Sequence, residues 1–147
     1  MRKFTISLTA ALAITAGVAY AATMAAPTIV TPATIHWAAG TGMMKGAQVA
    51  VLAGNPQKTG LYIVRIKIPA GTVFAPHYHN ETENVSVVSG ALWVGLGNKM
   101  NKAKMMALPA GSFVQVPAKL HHYAMTKTTT VIDITGIGPE TMMAVKP

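Results

Sequence analysis

Between Leu61 and Ile68 the chain alternates strictly, with Tyr62, Val64, Ile66 and Ile68 on one parity and Leu61, Ile63, Arg65 and Lys67 on the other. Period two, rich in β-branched residues, is the pattern of a strand with one face in a core. Similar short runs recur at Ala47–Leu52, Asn84–Val88, Ala91–Leu96, Ser112–Val116, His122–Thr126 and Thr129–Ile134. Between them stand turn signals: Gly54-Asn55-Pro56, Pro69-Ala70-Gly71, Ser89-Gly90, Gly97-Asn98 and Pro109-Ala110-Gly111. This rhythm predicts an all-β protein, a small antiparallel β-barrel or double-sheet jelly roll. Only Lys99–Ala107 has helical composition. Ile68-Pro69-Ala70-Gly71 and Leu108-Pro109-Ala110-Gly111 echo each other, which suggests two equivalent strand entries.

At 147 residues the chain fits one domain. It opens on Met1-Arg2-Lys3, runs apolar from Phe4 to about Val18 and reaches Ala19-Tyr20-Ala21. That order predicts a secretory signal peptide over residues 1–21, cleaved near Ala21. The apolar run is short for a membrane span and broken by Thr and Ser, so no stable membrane anchor is expected after cleavage. Residues 22–44, with Pro27 and Pro32, read as an extended N-terminal arm, and 45–147 as the barrel domain. The expected localisation is periplasmic or secreted.

Net charge is +8 from 12 basic and four acidic residues. A basic balance can indicate a nucleic-acid partner, but the export signal argues against one. The chain has no cysteine, which removes disulfides, thiolate metal sites and cysteine nucleophiles at once. The acids are only Glu81, Glu83, Asp133 and Glu140, and two of them fall inside the histidine-rich segment. A chain so poor in carboxylates has little to lose when they protonate, which suits an acidic space.

That segment holds His77, His79 and Glu83 between Gly71 and Gly90. On a strand His77 and His79 point together, and Glu83 keeps their parity. Imidazole with carboxylate suits a divalent transition metal such as Mn, Fe, Ni, Cu or Zn. Three ligands make a partial shell, and the remaining histidines are His36 and the pair His121-His122 after Pro117.

Gly71, His77, His79, Glu83 and Gly90 match the cupin pattern G-x5-H-x-H-x3-E-x6-G at every fixed position. Gly111, Pro117 and His122 resemble the companion pattern G-x5-P-x-G-x2-H-x3-N, with departures at Lys119 and Thr126. The resemblance covers about residues 45–137. It implies a small β-barrel with one interior metal ion held by three histidines and a glutamate, carried over here to His77, His79, Glu83 and His122. It also implies chemistry of the kind seen in cupin dioxygenases, decarboxylases and isomerases. Small cupins often pair through their N-terminal strands, and the arm is compatible with such a homodimer, although the sequence does not fix the oligomeric state.

His121 and His122 cannot both enter one site unless the strand bulges, and spacing from Pro117 favours His122. Lys119 stands where a glycine turn is expected; its bland reading is a solvated lysine. Glu81 reads as a solvated turn residue. The pairs Met43-Met44, Met105-Met106 and Met142-Met143 read as packing rather than copper ligation, because neighbours on a strand face opposite ways. Met125 reads as core rather than axial ligand, and Phe74, Trp93, Tyr78 and Phe113 as core or pocket wall. His36 has no assigned role. Three functions compete: an exported enzyme oxidising a small organic substrate, dioxygenase-like; a non-catalytic envelope protein binding or sensing a metal or small ligand; and, weakest, a purely structural β-domain with vestigial ligands. Cavity volume beside the metal separates the first two.

Overall fold

The computed structural model describes residues 26–146, so the expected signal peptide lies outside the described residues. The strands in chain order are β1 (Ala38–Ala39), β2 (Gln48–Ala53), β3 (Gly60–Ile68), β4 (Val73–His79), β5 (Glu83–Ser89) and β6 (Ala91–Leu96). They continue as β7 (Met106–Pro109), β8 (Phe113–Val116), β9 (His122–Thr126), β10 (Thr130–Gly138) and β11 (Met142–Ala144). All pair antiparallel in two sheets, ordered β1-β2-β3-β10-β5-β8 and β11-β4-β9-β6-β7. This is the double-sheet jelly roll that the alternating runs predict.

The inner parity of β3 is the apolar one: Tyr62, Val64, Ile66 and Ile68 are buried. They join Val85, Val87, Ile132, Ile134, Phe74, Leu92 and Ala124 in one core between the sheets. Each Val, Leu, Ile or Phe side chain among them contributes about 1.5–3 kcal/mol when taken out of water. On the outer face of β3, Arg65 pairs with Asp133 directly across on β10, with two N–O contacts of 2.7 Å. Being partly exposed, that pair adds no more than about 1 kcal/mol.

The echo at Pro69 and Pro109 is structural. Each Pro carbonyl accepts from the residue three on, Thr72 or Ser112, and Gly71 and Gly111 have φ of 78° and 87°. That is a type II turn, which needs positive φ at its third position. Thr126, which replaces the pattern's asparagine, is buried and donates to the Pro69 carbonyl at 2.6 Å, tying β9 to the first of these turns.

Two expectations need correcting. The Lys99–Ala107 segment contains only a 3-10 turn, Lys102–Lys104, with the Asn101 side chain accepting from Ala103 N. Met106–Pro109 then becomes β7 because β6 offers a free edge to pair with, and tertiary pairing outweighs weak local helical preference. Nor is the arm extended throughout. Ala38 and Ala39 pair with Val49 and Gln48, and a 3-10 turn follows at Gly42–Met44. A Cβ on Gly40 would collide with the Met44 carbonyl, so glycine is what lets this fold-back close.

Candidate metal centre

Phe74 and His77 are both buried although they differ in parity. The β4–β9 register slips between them, a bulge at Ala75-Pro76 that turns His77 inward. Pro76 has no N–H to lose from the ladder there. The Ala75 carbonyl accepts from Nδ1 of His77 at 2.7 Å. Across the sheet His122 pairs directly with His77, and its Nδ1 donates to the Leu120 carbonyl at 2.9 Å. His79, last on β4, has Nδ1 at 2.5 Å from Oε1 of Glu140, in the connection from β10 to β11. With each Nδ1 engaged, all three rings keep Nε2 for the interior.

Those rings converge. The ring centroids of His77 and His122 lie 4.2 Å apart, and His79 is 5.2 Å and 5.4 Å from them. One ligand atom from each histidine lies within 4.8 Å of the others, and all three residues are buried. Glu83, the first residue of β5 on the opposing sheet, brings Oε2 to 3.6 Å from His79 Nε2 and 3.9 Å from His122 Nε2. Two ligands bound to one ion at about 2.1 Å can be at most about 4.2 Å apart, so the two Glu83 distances suit a shared ion. Among the described residues, His79 Nε2 is the buried side-chain polar atom that has no hydrogen-bond partner. An orphan of that kind is costly unless something occupies it, so the donor set fits a metal.

Burial sets the protonation states. It lowers His77 to about 4 and also lowers His122. Burial would lower His79 as well, but the Glu140 hydrogen bond and the charges of Glu83 and Glu140 outweigh it and the net shift is upward. Desolvation raises Glu83 to about 7, with His79 opposing. Tyr62, buried near these carboxylates, is raised and stays neutral.

The sequence brings His77, His79, Glu83 and His122 to one point, and the structure separates them from His121. That ring faces outward, 5.0 Å from Tyr78 and hydrogen-bonded to Asn98. Glu81 is exposed. Lys119 is exposed too, yet keeps the glycine's conformation, with φ of 63° and its N–H on the His79 carbonyl at 2.8 Å. Of the expected wall aromatics only Phe74 lines the chamber. Trp93 lies on the outer face under Lys127, Tyr78 stacks outside, and Phe113 is 61% exposed. Leu92 and Val94 take the inner parity of β6, which turns Trp93 out; Met125, paired with Trp93, stands off the His122 face. Met44 and Met142 pack against the core. Glu140 is the residue that sequence reasoning missed. It lies 61 positions from His79, and only its rarity as one of four acids could have marked it.

The chamber at the histidines measures about 50 Å³ and is lined chiefly by Val, Ile and Leu. It adjoins a cleft of about 720 Å³, which shares Met44, Ile66, His79, Glu83, Ile134 and Met142. His36, unassigned from sequence, stands in the wall of that cleft.

A family model for the ChrR cupin-like domain matches residues 25–139. The chain belongs to this family. Solved cupin-fold structures agree. The polyketide cyclase RemF from Streptomyces resistomycificus superposes with a TM-score of 0.66 at 13% identity, covering 83% of this cupin and 87% of that chain. A candidate acetylacetone dioxygenase from Methylibium petroleiphilum PM1 gives 0.63 at 21% identity, covering 84% of both. An RmlC-like cupin from Shewanella frigidimarina gives 0.59 at 20%, covering 76% of this cupin and 91% of that chain. At these identities the likeness concerns the fold. No curated protein matches the sequence.

Proposed function

We propose that this cupin holds one divalent transition metal through His77, His79, His122 and Glu83, and that it oxidises a small organic substrate there in a dioxygenase-like reaction, with dioxygen as the oxidant. The observation carrying the reading is the set of three buried imidazoles whose Nδ1 atoms are all engaged elsewhere, with His79 Nε2 unpartnered. When bound, the ion supplies a Lewis-acid or redox centre with coordination positions to spare. The chain's own residues do the rest. Glu140 and the two backbone carbonyls hold the rings, Glu83 exchanges a proton for the ion near neutral pH, and the apolar chamber limits water. A cyclase and a candidate dioxygenase on the same fold support an enzymatic reading.

The small chamber favours a second reading, a non-catalytic metal- or ligand-binding protein. About 50 Å³ holds a few waters, not a substrate body. The adjoining cleft tips the balance toward the enzyme, because a substrate could lie there and present one end to the metal. The proposal also places the protein outside the cytoplasm, on the strength of its N-terminal order of charge, apolar run and Ala19-Tyr20-Ala21.

Elemental analysis of protein from its own host, beside His77→Ala, tests the centre. About one equivalent is expected in the native protein and a large loss in the variant; equal metal in both discards the site.

A further inference from the structure

The cleft beside the chamber has a chemistry of its own. Its volume, about 720 Å³, falls within the roughly 300–1,000 Å³ usual for small-molecule sites. One wall is the arm from His36 to Met44, held by the β1–β2 pairing and the close fit at Gly40. Val49, Val51, Pro56 and Gln57 also line the cleft. The acids that line it are Glu83 and Glu140.

No lysine or arginine lines either the cleft or the chamber among the described residues, although the chain carries 12 basic residues. Arg65 is bound to Asp133 on the outer face. A ligand carboxylate or phosphate in the cleft, away from the ion that Glu83 binds, would leave water without a cationic side chain to meet it and would face the Glu140 carboxylate. A neutral body meets no such cost. Met43, Met44 and Met142 offer it soft, adaptable surface, and His36 and Gln57 can hydrogen-bond a carbonyl or hydroxyl.

We propose that this cleft seats the body of the ligand and selects uncharged, largely apolar molecules, refusing those with an anionic group away from the metal. The assignment rests on the metal-binding reading above.

Cobalt(II)-loaded protein titrated with three hydroxamates that share one metal-binding group tests it through the visible absorption bands. Acetohydroxamate is small and reports the metal alone; benzohydroxamate and 4-carboxybenzohydroxamate add a body without and with a charge. Benzohydroxamate is expected to bind more tightly than acetohydroxamate, and about tenfold or more tightly than the carboxylated form. Val51→Lys, at a cleft residue that is 54% exposed, should narrow that ratio by supplying a cation. Equal affinity for the two aromatic ligands, or no gain over acetohydroxamate, overturns the cleft assignment alone. Cobalt not being retained refutes the metal reading and this proposal with it; acetohydroxamate failing to shift the bands of fully loaded protein leaves metal binding standing and overturns this proposal, because the ion then has no free position for a ligand. The ligand comparison uses the unaltered protein, so it stands whether or not the variant folds.

Discussion

Nδ1 of His79 sits 2.5 Å from a carboxylate oxygen of Glu140, two residues 61 positions apart in the chain that meet behind the site. A carboxylate in that position fixes the ring's orientation and makes Nε2 a better donor. Glu140→Gln should therefore weaken metal binding by roughly 10- to 100-fold. Competition against a chelator of known affinity measures this. An unchanged affinity would mean that the contact does not steer His79.

The metal-free protein should have a shallow stability optimum near pH 6.5. His77, lowered to about 4, contributes stability that is present above pH 6.5 and lost as pH falls through about 4; His122 acts in the same direction. Glu83, raised to about 7, has the opposite sign: its contribution is present below 4.5 and lost as pH rises through about 7, and His79, also raised, adds a contribution present below 6.5 and lost above it. The slopes oppose each other between pH 4.5 and 6.5. Removing one side exposes the other, so apo Glu83→Gln should gain stability more steeply than wild type from pH 5 to 6.5. Thermal melts in EDTA would show it, and parallel profiles would refute the assignment.

Metal affinity should fall below neutral pH because of His79, held above its usual value, and Glu83, rather than because of His77 and His122, which stay neutral. At pH 6 the Glu83 carboxyl holds a proton that the ion must displace, at a cost of about tenfold in affinity per pH unit. Retention measured from pH 8 to 5 should decline from about pH 7, and Glu83→Gln should flatten the upper part of that decline. A first loss only near pH 4 would instead point to His77.

Lys119 occupies a left-handed conformation that costs a non-glycine residue about 1–2 kcal/mol. Lys119→Gly should match or exceed wild-type stability, and Lys119→Val should lose about 1–2 kcal/mol in urea unfolding. Stabilisation by valine would contradict the observed backbone.

Gly95 lies opposite Tyr123 in the β6–β9 pair, where a Cβ would overlap the tyrosine ring. Gly136 stands in the same relation to Tyr62. Gly95→Ala should cost about 1–3 kcal/mol by overpacking. Because Tyr123 adjoins His122, metal affinity should drop as well; calorimetry reads both effects.

Much of this was legible in the chain. The alternation at Tyr62–Ile68 gave the buried face directly, and the spacing of His77, His79, Glu83 and His122 brought four groups together from two sheets. What escaped depended on contacts that no local pattern encodes. The bulge at Ala75-Pro76 reverses parity between Phe74 and His77, so strict alternation could not follow both. Trp93 and Phe113 look like core by composition, yet the register of β6 and β8 turns them outward. Glu140 and His36 reach the site region only through long-range closure of the chain.

Glu83 opens a strand of one sheet, whereas the three imidazoles project from the other. The 3.6 Å gap between Glu83 and His79 is thus a gauge of how far apart the two halves of the sandwich stand. In a chain with no covalent staple, an ion gripped from both sides would act as a rivet. Slow breathing of the barrel and loss of its cargo would then be one event.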